Sequence, residues 1–111
     1  MNTITWSDFE KVEIRTGTII AAAPFAKAKN PAYQLTIDFG GQGIKRSSAQ
    51  ITDLYQPEDL IGKQVVAVVN FPLKQIANFF SECLVLGSVN ADGTVTLLQP
   101  ERLVENGLRI A

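Results

Sequence analysis

Histidine is absent from this chain of 111 residues, and cysteine, methionine and tryptophan occur once each. Without imidazole, serine–histidine and cysteine–histidine nucleophile pairs are impossible, and proton transfer near neutral pH falls to carboxylates and lysines. The lone Cys83 excludes an internal disulfide and any cysteine-rich metal spacing. Its place in the apolar run Cys83-Leu84-Val85-Leu86 suits a reducing compartment. Long hydrophobic runs are missing as well: the opening MNTITWSDFEKV carries acids and no uninterrupted apolar stretch, so neither a signal peptide nor a membrane span is expected, and a cytoplasmic location is. Strong charge of one sign is also lacking, since the formal net charge is −1, which argues against a general nucleic-acid binder.

What is present begins with a 46% hydrophobic content, enough for the core of one domain over residues 1–111. Charge is unevenly distributed. Between Lys27 and Lys74 the basic residues Lys27, Lys29, Lys45, Arg46, Lys63 and Lys74 face the acids Asp38, Asp53, Glu58 and Asp59, a local excess of +2. The remainder sums to −3. Such a bias fits a local phosphate-binding face, and equally an ordinary solubilising surface.

The pattern predicts a short helix before Val12, capped by Thr5 with Asp8 or by Ser7 with Glu10. Alternation of Val12, Ile14 and Thr16 opens a long strand, bent or bulged at Gly17 and resuming through Ala21. A loop with Lys27 and Lys29 leads to a second strand with Leu35, Ile37 and Phe39 inward, and Gly40, Gly41 and Gly43 turn it into a third over Ile44 to Ser47. Ser48 reads as the cap of a helix over Ala49 to Tyr55, and Pro57-Glu58-Asp59 as the first turn of another that stops before Gly62. Val65 to Val69 is a central strand. An irregular basic segment follows, then a hairpin of Cys83 to Val89 with Thr94 to Leu98 over Asn90-Ala91-Asp92-Gly93. Five or six short strands interrupted by a helical insertion describe an all-β, five-stranded OB-fold barrel with short helices. The terminal segments, with Trp6, Phe9, Leu103, Val104, Leu108 and Ile110, carry apolar surface for a self-complementary dimer interface, or pack on their own subunit.

No catalytic site is expected. Glu58 and Asp59 at a helix start act as dipole partners, and Gly40-Gly41-Gln42-Gly43 joins two strands, which is a turn and not a phosphate loop. No cofactor or metal is expected either. The stretch that draws attention is Lys45-Arg46-Ser47-Ser48, cations and hydroxyls together at a strand end.

The stretches Phe9-Glu10-Lys11-Val12-Glu13-Ile14-Arg15-Thr16-Gly17, Asn30-Pro31-Ala32-Tyr33, Ile37-Asp38-Phe39-Gly40, Ser47-Ser48-Ala49-Gln50-Ile51, Gly62-Lys63-Gln64-Val65, Val69-Asn70-Phe71-Pro72 and Ser81-Glu82-Cys83-Leu84 resemble, over nearly the whole chain, the CsaA-like branch of the tRNA-binding domain family. That family includes domains appended to methionyl-tRNA synthetases and EMAP-type cofactors. The resemblance implies a small barrel, a homodimer formed through terminal extensions, recognition of tRNA by shape, and in this branch a chaperone-like role in protein export. Carried onto this chain, it implies tRNA contacts from Lys45, Arg46, Ser47 and Ser48 on one side and Asn70, Lys74, Ser81 and Cys83 on the other. The chain departs from the family's usual Ser-Glu-Gly-Met at Ser81-Glu82-Cys83-Leu84. A second expectation is a peptide-binding surface for unfolded or export-bound chains, built from Phe71, Leu73, Ile76, Phe79 and Phe80.

Overall fold

Thr5 starts the first element of the computed structural model, which describes residues 1–111. Its hydroxyl accepts the Asp8 N–H at 3.1 Å while the Asp8 carboxylate accepts the Thr5 N–H at 3.0 Å, so of the two capping boxes the sequence allows, this one opens helix α1, Trp6–Glu10. Strands β1 (Ile14–Pro24), β2 (Tyr33–Asp38) and β3 (Ile44–Ala49) follow, with a 3-10 turn, Gly40–Gln42, between the last two. Helix α2, Pro57–Leu60, opens on the Gln56–Asp59 capping box and is followed by Gly62 at φ 90°. Strand β4 is Gln64–Val68. A small hairpin of β5 (Lys74–Ile76) and β6 (Phe79–Ser81) comes next, then β7 (Leu84–Val85), and finally a hairpin of β8 (Gly87–Val89) and β9 (Val95–Leu97).

The antiparallel sheet runs β3-β2-β1-β4-β7 and curls into a nearly closed barrel. Its two edges meet where the Glu82 N–H donates to the Arg46 carbonyl at 2.8 Å and the Arg46 N–H to Glu82 Oε1 at 2.9 Å. Inside lie Ile19, Leu35, Ile37, Phe39, Leu60, Val65 and Ala67, all at 0% exposure. Burying each of the larger ones contributes about 1.5–3 kcal/mol. Gly17 is required by this packing, because a Cβ there would stand 2.6 Å from Ile37 Cγ2 and 2.7 Å from Phe39 Cδ1. The bulge expected at Gly17 lies instead at Ile20, between Ile19 and Ala21, and turns Ile20 out to solvent.

Three other expectations are corrected. The helix over Ala49 to Tyr55 does not form: Ser47 and Ala49 alternate inward opposite Leu35 and Tyr33, so β3 continues through Ala49 and only a turn follows at residues 52–54. The run from Cys83 to Val89 is two strands, because Leu86 hands the chain over: its N–H donates to the Val66 carbonyl at 2.9 Å and its carbonyl accepts the Leu98 N–H at 3.2 Å. The irregular segment after Pro72 contains the β5–β6 hairpin, turned at Ala77 with φ 53°.

The C-terminal tail covers the side of β1 that β2 leaves open. Gly107 N–H donates to the Thr16 carbonyl at 2.7 Å, Thr16 N–H to the Leu108 carbonyl at 3.0 Å and Ile110 N–H to the Ile14 carbonyl at 2.9 Å. The Arg15 guanidinium fixes the same tail through the Gly107 carbonyl at 3.0 Å. No helix is long and apolar enough to cross a membrane.

Candidate nucleic-acid interface

Strand pleat decides where the Lys45-Arg46-Ser47-Ser48 side chains go. Lys45 registers with Ile37 and Ser47 with Leu35, on the inward row, whereas Arg46 and Ser48 register with Thr36 and Gln34 on the outward row. The two adjacent cations therefore lie on opposite faces of β3. Ser47 is 1% exposed, and its hydroxyl donates to the Cys83 carbonyl at 2.9 Å, so it holds the barrel seam. Cys83 is buried beside it, and burial pushes its thiol up to about 11. Asn70 has both ends of its amide engaged: Nδ2 donates to the Lys11 carbonyl at 2.7 Å and Oδ1 accepts the Glu13 N–H at 3.0 Å, tying the end of β4 to the chain leading into β1.

The β5–β6 hairpin packs against β3. Ser81 Oγ accepts the Ser48 N–H at 3.2 Å and donates to the Cys83 carbonyl at 3.3 Å. Lys74 pairs directly with Ser81, and Ile76 with Phe79, so these four share the face turned toward β3 while Gln75 and Phe80 share the other. Phe79, 2% exposed, is the centre of a second small core with Phe25 and Ala32, against which Ala28 and Ile76 pack. Its ring meets Phe25 at 5.3 Å between centroids and carries the Arg46 guanidinium 4.4 Å above it, and Arg46 also donates to Gln34 Oε1 at 3.2 Å. This cluster ties three cation-bearing segments together: the loop with Lys27 and Lys29, β3 with Arg46, and the hairpin with Lys74.

Where β3 and β7 diverge, a groove of about 600 Å³ opens. It is lined by Ser48, Gln50, Phe71, Lys74, Ile76, Ser81, Cys83, Leu84 and Val85, among others. Of the expected tRNA-contacting residues, Ser48, Lys74, Ser81 and Cys83 meet there; Lys45, Arg46, Ser47 and Asn70 do not line it. The expected peptide-binding residues also separate. Phe71, Leu73 and Phe80 are exposed at 54%, 64% and 50%, Ile76 is half-buried, and Phe79 is enclosed in the second core and offers no surface to a peptide. Phe25, Gln34 and Glu82 were not singled out from the sequence; an aromatic in a loop of small residues, Pro24-Phe25-Ala26, was the signal for the first. Both others are polar neighbours of Arg46 that only the folded barrel brings to it, Gln34 from β2 and Glu82 from the segment between β6 and β7.

The exposed apolar residues of the terminal segments are Ile4 at 70%, Trp6 at 72%, Leu103 at 84% and Leu108 at 44%, while Phe9, Val104 and Ile110 are partly covered.

Residues 14–109 match the family model described as "Putative tRNA binding domain". The chain is 36% identical over 104 residues to a methionine–tRNA ligase of Methanococcoides burtonii, a match that covers 94% of this chain but only 15% of the ligase. Among solved structures it resembles chaperone CsaA from Bacillus anthracis, at 52% identity and a TM-score of 0.94 over 99% of this chain and 100% of that one. It also resembles the CsaA chaperone protein from Picrophilus torridus, at 53% identity and 0.92 over 98% and 100%. A nearly closed five-stranded barrel, matched from Ile14 to Arg109 and shared almost end to end with two CsaA structures, places this chain in the tRNA-binding domain family, in its CsaA-like branch.

Proposed function

We propose that the chain is a non-catalytic tRNA-binding protein that works as a homodimer in the cytoplasm and recognises folded tRNA by shape. The observation that carries this reading is the small core around Phe79, which joins the loop that carries Lys27 and Lys29, the Arg46 guanidinium and the hairpin that begins at Lys74, in a molecule of net charge −1. Phosphates meet Lys27, Lys29, Arg46 and Lys74, with Lys45 adding charge from the other row of β3, and Ser48 and Ser81 supply polar contacts. Two copies, joined through the exposed apolar residues of their terminal extensions, present this face twice to one RNA, so affinity depends on the dimer. The test is tRNA binding across a salt series, with Lys27→Glu and Lys74→Glu combined. Affinity at low salt falls at least ~100-fold and the salt slope flattens, with an unchanged melting temperature. Absence of tRNA binding at low salt refutes the reading, and sedimentation as a monomer at micromolar concentration refutes the dimer.

A second reading, an export-related chaperone for unfolded polypeptides, is favoured by the apolar share of the groove lining and by the exposed Phe71 and Leu73. Its support is binding of an unfolded client that survives high salt and is weakened by Leu73→Ser.

A further inference from the structure

Resting on the RNA reading, we propose that the groove where β3 and β7 diverge, walled by the β5–β6 hairpin, receives one unpaired nucleotide of the bound RNA, its base against Phe71 and its phosphate on Lys74. The groove holds about 600 Å³, which admits a single unstacked base and is far too small for a duplex. Its lining contains one charged residue, Lys74, and no carboxylate, so its field favours an anion. The Phe71 ring is half-exposed at the groove and has no stacking partner: the ring pairs of the molecule are Trp6 with Phe9 and Phe25 with Phe79, and the cation of Arg46 is already seated on Phe79. An uncovered ring beside an ammonium group is what an unstacked base and its phosphate require.

The polar groups of the groove make the same case. The Ser81 hydroxyl is engaged with Ser48 and Cys83, whereas the Ser48 hydroxyl and the Gln50 side-chain amide make no hydrogen bond within the chain. An apolar side chain by itself makes no use of the Ser48 hydroxyl, the exposed Gln50 amide or the exposed Lys74 ammonium. The edge of a base can satisfy the hydroxyl and the amide while its phosphate takes the ammonium. A protein that reads the overall form of tRNA thereby also grips one exposed base in a loop or at an end.

The experiment compares fluorescently labelled single-stranded hexaadenylate and hexauridylate RNA with a blunt RNA duplex, alongside bulk tRNA, on the full chain. Wild type binds at least one hexamer more tightly than the duplex. Phe71→Ala weakens that binding about tenfold, the loss expected of one stacked base. Lys74→Ala weakens it and lowers the salt slope by about one phosphate. Phe71 is half-exposed, and far-UV circular dichroism with thermal melting verifies that its replacement leaves the barrel folded. The proposal is overturned if hexamers bind no better than the duplex, or if Phe71→Ala changes nothing, while tRNA binding persists; the RNA reading then survives alone. If neither hexamers nor tRNA bind, both fall. Phe71-dependent binding of a reduced, carboxymethylated polypeptide, with the hexamers unbound, assigns the groove to peptides and likewise overturns it.

Discussion

Two hydrophobic clusters of unequal size divide the work of this molecule. The barrel core counts 11 buried residues drawn from β1 to β4 and the residues that follow them, the helical insertion, and Cys83 just before β7, whereas the cluster under the β5–β6 hairpin counts three, Phe25, Ala32 and Phe79. The larger one sustains the fold. The smaller one, fed by a loop and a hairpin of three-residue strands, contributes less to global stability and seats the Arg46 guanidinium. Fold and proposed binding face can therefore be perturbed separately.

The strongest way to break that contrast is Phe39→Ala. Phe39 is fully buried in the barrel, and its truncation lowers unfolding free energy by about 3–5 kcal/mol, read from urea denaturation. Phe79→Ala sharpens the contrast from the other side. It costs roughly 2–3 kcal/mol at most, speeds amide exchange in residues 74–81 far more than in β1 and β4, and weakens tRNA binding by releasing Arg46 and the Lys27–Lys29 loop. Equal losses of global stability in the two variants contradict the division.

An effect confined to alkaline pH comes from the seam between the regions. The Cys83 thiol is raised from 9.0 to about 11, chiefly by burial, so the folded state holds its proton more tightly than the unfolded chain does. Stability from this group is complete below pH 9 and declines as pH rises through the window up to about 11. At about 1.4 kcal/mol per pH unit, the rise from 9.0 to about 11 amounts to a loss on the order of 3 kcal/mol once the pH is above the folded-state value. Cys83→Ala removes that slope, and a stability profile with the same slope in the variant refutes the assignment. The smallest effect is Gln34→Ala, which takes away one exposed hydrogen bond to Arg46; stability changes by less than ~1 kcal/mol and tRNA affinity drops a few-fold.

What could be read from the sequence follows the same division. Leu35, Ile37 and Phe39 alternate cleanly, and Val65 to Val69 is a continuous apolar run, so β2 and β4 were legible in the sequence, the first from its period of two and the second from its unbroken hydrophobicity. The Thr5–Asp8 box and Pro57 announced both helices. Ser48 misled because serine before alanine resembles a helix cap, and only pairing with β2 shows the strand continuing to Ala49. The β5–β6 hairpin was hidden because its strands are too short for a pattern and its turn at Ala77 uses no glycine. In the binding face, Lys45-Arg46 reads as one doubled charge, yet the pleat parts the two side chains. Burial of Phe79 could not be foreseen, since its partner Phe25 lies 54 residues earlier, in a loop.

The central claim is that the small core mounts the RNA-binding face, and hydrogen exchange of the full chain with and without tRNA at low salt tests it most directly. The account predicts protection on tRNA addition in the loop 25–32, in β3 and in residues 74–81, with β8 and β9 unchanged. Protection confined to β8 and β9, or none despite measurable binding, contradicts it.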